Sequence, residues 1–232
     1  MIKANCRERF TAADFDFVVK TLSRSERDSV NLGELLTDAG ARDAVLDSPR
    51  LVESMLSGDG ALSISPQLYF YVLLRHVLKD TAHADRAATD YLASLLETFS
   101  QTARMRSPAN GSTGPVQYVS DMLIALQRAS SVQSFLIQAH VGNYSLFMTG
   151  IFPETVERRT QRGAPSVSFY EDVGSANYKA AAGHQCARSA SLSGIYEWLA
   201  EYFHEVRLAL NRLADSLLHL GDGPAPAFPL AP

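Results

Sequence analysis

The sequence predicts an all-α protein, a multi-helix globular bundle around one central buried helix. Nearly every long segment carries apolar residues at helical spacing, and the alternating pattern of a half-buried strand is limited to residues 166–170. Of the 232 residues, 46% are hydrophobic and 20% are charged, which is typical of a globular domain. A chain of this length can form a stable core without disulfide bonds or a metal ion. We therefore expect one helical domain over residues 1–220.

Residues 1–60 carry start and stop signals for several short helices. Thr11 and Asp14 resemble a capping box, in which each side chain accepts a hydrogen bond from the backbone N–H of the other. Gly33 and Gly40 then divide the following stretch into brief helices, because glycine interrupts helical segments. These short elements could form a small helical subdomain of their own.

The middle of the chain predicts two long helices and an exposed connection. Ser65 and Pro66 begin the first helix, because serine accepts a hydrogen bond from the open N–H groups and proline has no N–H to leave unpaired. This helix, residues 66–79, is apolar on all sides and should be buried. A more amphipathic helix follows to about Gln101. Residues 107–115 contain the glycine, proline and serine that are typical of an exposed loop.

The central helix is predicted from a stretch without charge. Between Arg128 and Glu154 the chain has no Asp, Glu, Lys or Arg, and the stretch is too long for a strand and too polar for a membrane span. We expect a helix that is buried among the others and ends before Pro153. Its polar side chains would then need hydrogen-bond partners inside the protein. These side chains are Gln133, Gln138, His140, Asn143 and Tyr144.

The uncharged helix and the helix after it supply a candidate ligand site. His140 could carry a proton or bind a ligand, with Asn143 and Tyr144 beside it. Tyr170 and Tyr178 share one face of the next predicted helix, where the two rings could shape a cleft. Two interpretations remain open. One is a pocket for a small apolar ligand, and the other is a core network in which these polar groups bond only to neighbouring helices.

Two glycines predict a close contact between those two helices. Gly142 lies on the uncharged helix and Gly174 on the next one. Neither residue has a side chain that would keep a neighbouring helix away. We therefore expect the two helices to pack against each other at these positions.

The last helix has the most regular pattern. From about Ser193, apolar residues follow at alternating steps of four and three, which predicts one long amphipathic helix. These residues are Ile195, Leu199, Tyr202, Val206, Ala209, Leu213, Leu217 and Leu220. An apolar stripe of this kind favours contact with another chain, either in a homodimer or with a different protein. Residues 221–232 form a Pro- and Gly-rich tail.

A shorter pattern on the same helix permits a metal site. Glu201 and His204 have the Glu-x-x-His spacing that di-iron carboxylate bundles use, and His184 could add a further ligand. Those bundles need two such motifs, and this chain has one, so metal binding is only an alternative. His184 is otherwise expected to cap the C-terminus of the helix before it.

Charge and cysteine content argue against several classes of protein. With a net charge of −4, the chain has no overall field that would attract nucleic acid or an anionic membrane. Charged residues near the N-terminus and the lack of a run of about 18 apolar residues predict no signal peptide and no membrane span. Cys6 and Cys186 lie far apart and have no metal-binding spacing, which suits a reducing compartment. We therefore expect a cytoplasmic protein.

The preferred functional interpretation is a non-catalytic helical module that acts through protein–protein interaction. It rests on the long apolar stripe and on the lack of a recognisable catalytic motif. Two alternatives remain open. One is a helical enzyme with a pocket around His140 that binds a cofactor or metal, with non-haem iron as a candidate. The other is a regulator that senses a small ligand in the same pocket.

Overall fold

The computed structural model describes most of the chain. It covers residues 1–57, 64–79, 81, 84–105 and 119–216, and for residues 101–105 the backbone alone. The predicted loop at residues 107–115 and the predicted tail at residues 221–232 lie outside the described residues, as do Leu217 and Leu220.

The described residues fold into thirteen α-helices, preceded by a short 3₁₀ helix at Arg7–Arg9, and contain no strand. This confirms the all-α prediction, and residues 166–170 belong to the start of a helix rather than to a strand. Among the described helices, none has both the length and the apolar character needed to cross a membrane. In chain order the helices are α1 (Ala12–Leu22), α2 (Glu26–Leu35), α3 (Ala39–Leu46), α4 (Pro49–Ser57), α5 (Pro66–Leu78), α6 (Arg86–Met105), α7 (Val119–Leu126), α8 (Ser131–Ile151), α9 (Pro153–Thr160), α10 (Val167–Ala182), α11 (Gln185–Ser189), α12 (Ser193–Glu201) and α13 (Phe203–Ser216).

Two predicted helix starts are confirmed, and the structure joins them to each other. At α1, the Thr11 side chain accepts a hydrogen bond from the Asp14 backbone, and Asp14 accepts one from the Thr11 backbone. Ser65 caps α5 by accepting a hydrogen bond from the backbone N–H of Leu68. The buried Asp14 carboxylate also accepts hydrogen bonds from the backbone N–H and the hydroxyl of Ser65, both at 2.7 Å. One carboxylate thus holds the starts of α1 and α5 together.

The short helices α1, α3 and α4 share the main core of the protein, whereas α2 has no buried residue. Leu46 of α3 and Leu51 of α4 are buried in the same apolar cluster as residues of α5, α6 and α8. Gly33 and Gly40 lie inside α2 and α3, so the expectation that they separate the helices was wrong. Exposed glycine costs a helix only about 1 kcal/mol. The boundary lies instead near Asp38, whose side chain caps α3.

Helix α8 crosses the middle of the bundle, and its two halves differ in burial. Over residues 141–151 nearly all of its side chains are buried, and the main neighbours of the helix are α10 and α13. In the first half, Val132, Gln133 and His140 are exposed. The predicted central burial therefore holds for the C-terminal half, whereas the N-terminal half reaches the surface.

Glycines allow the predicted close contact of α8 with α10. A Cβ added at Gly142 would lie 2.7 Å from Cδ1 of Tyr178, and one added at Gly174 would lie 2.8 Å from Cβ of Ser145. Both distances are shorter than a normal contact between carbon atoms. The two helices can approach this closely only because glycine has no Cβ.

The predicted last helix is divided into two. Tyr202, with φ −105° and ψ 26°, ends α12 before α13 begins, so the prediction of one continuous helix was wrong. The apolar stripe nevertheless continues across the break and is buried in the core, as shown by Leu199, Val206 and Leu213. Helix α12 packs on α6 and α10, and α13 packs on α5 and α8. These buried residues therefore stabilise the domain itself and are not available to a partner.

Candidate functional site

The side chain of Asn143 lies at the centre of a buried polar cluster. It is 4% exposed, and its Oδ1 accepts hydrogen bonds from the hydroxyls of Tyr91 and Tyr178, each at 2.8 Å. The hydroxyl of Tyr91 also lies 3.4 Å from that of Tyr196. We call these four residues the tyrosine cluster. They come from α6, α8, α10 and α12, so the cluster joins four helices.

The rings of the tyrosine cluster also pack against each other. Tyr178 stacks on Tyr196 with ring centroids 5.6 Å apart, and Tyr91 meets Tyr196 edge-on at the same distance. Burial raises the pKa of Tyr91 and of Tyr178 well above the ordinary value, so both phenols keep their protons and donate to Asn143. Two donors fill both acceptor positions of one amide oxygen. This geometry supports the core-network interpretation of Asn143 and Tyr178 over that of a ligand pocket.

The other three candidate ligand residues lie apart from the tyrosine cluster. His140 is exposed on α8, with its ring centroid 5.8 Å from that of Phe99. Tyr144 and Tyr170 are half-buried, with ring centroids 6.5 Å apart, and pack on the small apolar cluster that α7 forms with α8. The five candidates thus lie in three places, namely the core, the surface and the contact with α7.

His184 caps a helix, but not the predicted one. Its Nδ1 accepts a hydrogen bond from the backbone N–H of Cys186 at 3.1 Å, which caps the N-terminus of α11. In the neutral ring Nε2 then carries the proton, and it lies 2.8 Å from the hydroxyl of Ser131 at the start of α8. The expectation that His184 caps the C-terminus of α10 was wrong, because the backbone N–H two residues ahead lies within reach of the ring.

His204 and Glu201 are not combined with His184 into a metal centre. Nδ1 of His204 lies 2.9 Å from Oε1 of Glu171, which also pairs with Arg207. Glu201 is exposed. In the described part of the chain, no group of three or more His, Cys, Asp or Glu side chains is arranged to hold a metal ion. His204 instead contacts the Glu171 carboxylate, which pairs with Arg207 between α10 and α13.

A cluster of ion pairs that the sequence did not reveal joins the first residues to α3 and α6, and the end of α3 to α5 and α6. Its members are Arg7, Asp43, Asp47, Arg75, Arg86 and Asp90. Asp47 lies 2.8 Å from Arg75 and 2.7 Å from Arg86. Burial acts to raise the pKa of Asp47, but the hydrogen bonds and charges of the two arginines outweigh it, so this pKa lies below its ordinary value.

The exposed half of α8 carries no Asp, Glu, Lys or Arg side chain. Val132 is 56% exposed and Leu136 is 43% exposed, and Gln133 and His140 are exposed on the same half of the helix. Val132, Leu136 and His140 follow at steps of four, so they lie along one side of the helix. We call these four residues the uncharged surface. Depletion of charge around exposed apolar side chains is typical of the centre of a protein contact.

Comparisons with known proteins do not assign any of these sites. The chain matches no protein-family model, no curated protein sequence and no solved structure. We therefore infer function from the residues of this chain and from their geometry.

Proposed function

We propose that the protein is a non-catalytic helical module that acts through protein–protein contact, and that the uncharged surface is its contact site. The observation that carries the proposal is the exposure of Val132 and Leu136 on a helix without a charged residue. Removing apolar surface from water stabilises a contact by about 25 cal/mol per Å². The sequence suggested a contact through the last helix, but its apolar stripe is buried. The proposed contact site is instead the first half of α8.

A second copy of the chain is the partner that this surface fits most directly. A twofold contact places the same surface on both sides. A helix face with charge of one sign would then repel its own copy, whereas this face has no Asp, Glu, Lys or Arg. Ten residues of helix are only about 15 Å long. This face covers less than the about 800 Å² that each partner buries in a stable complex, so we expect a weak, reversible dimer.

Sedimentation velocity on the whole chain, at concentrations up to about 1 mM, tests this proposal. We expect the wild-type protein to shift from monomer to dimer as its concentration rises. Leu136→Glu should abolish the shift, because a contact would bury an unpaired carboxylate.

Leu208→Glu provides the matched control. Leu208 is 39% exposed on α13, outside the uncharged surface, so this variant should form the dimer as the wild type does. Far-UV circular dichroism would show that both variants keep their helices. A wild-type protein that stays monomeric throughout, or a dimer that Leu136→Glu leaves intact, would overturn the proposal.

The pocket-based alternatives have less support from the geometry. An enzyme or a ligand-sensing regulator would use His140 together with Asn143 and Tyr178. His140 is exposed, whereas Asn143 and Tyr178 bond to each other in the core. The metal alternative would need His184, which already bonds through both of its ring nitrogens.

A further inference from the structure

An open cleft of about 270 Å³ lies between the first residues of the chain and α6. Its polar lining consists of Lys3, Asn5, Arg9, Ser94 and Thr98. Each of these side chains can donate a hydrogen bond; Lys3 carries a positive charge without an ion-pair partner among the described residues, and the charge of Arg9 is paired with Glu97. Among the described residues that line the cleft there is no carboxylate. The lining therefore favours a ligand that accepts hydrogen bonds and carries negative charge.

The guanidinium of Arg9 is held in place beside the cleft. Its two terminal nitrogens donate to the carboxylate of Glu97 at 2.6 Å and 2.8 Å, as a bidentate pair. Glu97 also accepts a hydrogen bond from the amide of Gln67 at 2.6 Å. The pair with Glu97 uses two of the five N–H groups of a guanidinium. The Arg9 side chain is 44% exposed, so it can donate to a further oxygen atom in the cleft.

Ser94 lines the same cleft, and its side-chain hydroxyl is buried. The residue is 3% exposed, and its Oγ has no hydrogen-bond partner among the described residues. Other hydroxyls of α6 behave differently, since Thr89 and Thr98 each donate to the backbone carbonyl four residues earlier. A buried hydroxyl without a partner is unfavourable. An oxygen atom of a ligand in the cleft would satisfy it.

We infer that this cleft binds a small oxyanion, the carboxylate or phosphate group of a small molecule, through Lys3, Arg9 and the hydroxyl of Ser94. The ligand is small, because drug-sized sites have about 300–1,000 Å³. Lys3 is exposed and has no ion-pair partner among the described residues, so its charge is available to the anion. The inference does not depend on the proposed dimer, because the cleft shares no residue with the uncharged surface.

Isothermal titration of the whole chain with inorganic phosphate and, separately, with acetate tests the inference, at an ionic strength kept constant with sodium chloride. We expect saturable binding of at least one of the two anions. Ser94→Ala should weaken it about tenfold, which corresponds to the loss of one hydrogen bond to a charged group. Lys3→Gln, at an exposed position, should weaken it as well. Binding of phosphate alone would assign a phosphate-bearing ligand, and binding of acetate would assign a carboxylate.

Ser145→Ala is the matched control for the serine variant. Ser145 also has a buried hydroxyl without a partner among the described residues, but it lies at the contact of α8 with α10. Both variants remove an unsatisfied hydroxyl, so neither should lower the unfolding temperature markedly. Of the two serine variants, only Ser94→Ala should weaken the binding of the anion. The inference is overturned if neither anion binds below about 100 mM. It is also overturned if Ser94→Ala and Lys3→Gln bind the anion as tightly as Ser145→Ala does.

Discussion

The variant Gly142→Ala places one methyl group in the close contact of α8 with α10. Its Cβ would lie 2.7, 2.8 and 2.9 Å from Cδ1, Cε1 and Cγ of Tyr178, whereas nonbonded carbon atoms rest at about 3.5–4.0 Å. The ring would therefore have to move by about 1 Å. It is not free to do so, because Tyr178 is fully buried, stacks on Tyr196 and donates to Asn143.

The expected loss of stability follows from three terms. Overpacking of a core costs about 1–3 kcal/mol, and a weakened hydrogen bond to Asn143 adds up to about 1 kcal/mol. The higher helix propensity of alanine offsets about 1 kcal/mol of this. The terms sum to a loss of about 0–3 kcal/mol. We expect the free energy of unfolding to fall by about 1–2 kcal/mol, the middle of that range, which lowers Tm by about 2–8 °C in a protein of this size.

Urea unfolding followed by far-UV circular dichroism measures this change, and Gly33→Ala is the matched control. Gly33 lies inside α2, and among the described residues no atom beyond its chain neighbours and the backbone of its own helix lies within 4 Å of the position its Cβ would occupy. The control should therefore gain about 0.5–1 kcal/mol from helix propensity alone. Equal stabilisation by both substitutions would refute the close contact between α8 and α10.

Two further predictions concern thiols and pH. Burial raises the pKa of Cys6, and its thiol donates a hydrogen bond to the carbonyl of Gln67. A thiol reagent should therefore modify the half-buried Cys186 first. Equally fast modification of the two cysteines would contradict the burial of Cys6. The lowered pKa of Asp47 stabilises the fold above the unfolded pKa of about 3.9, and this contribution is lost as pH falls through the folded value. Asp47→Asn should therefore lower the free energy of unfolding near neutral pH, and the difference from the wild type should shrink in acid. Urea unfolding at a series of pH values measures this difference. A difference that stays the same from pH 7 to strong acid would contradict the prediction.

Helix starts could be predicted from the sequence because their hydrogen bonds are local. Thr11 and Asp14 bond across three residues, and Ser65 bonds to a backbone N–H three residues ahead. The contact between the helices of Gly142 and Gly174 could also be predicted, because a missing side chain permits close approach wherever two such positions meet.

The candidate site could be predicted only in part. Asn143 was identified as a polar residue that needs partners, but the sequence did not indicate that Tyr91 and Tyr196 would join it. Tyr91 lies 52 residues away, and its helical spacing shows only that it faces inward. The ion pairs of the N-terminal segment and the cleft at Ser94 were not predicted for the same reason, since their members meet only in the folded chain.

The sequence by itself determined the helical class, the starts of α1 and α5 and the uncharged character of α8. Only the tertiary structure decided that α8 is buried in its C-terminal half and exposed at Val132 and Leu136, and that the apolar stripe of α12 and α13 faces its own core. The physical reason is that hydrophobic burial has no direction. A sequence specifies how much apolar surface should leave the water, whereas the packing of helices specifies which neighbour covers it.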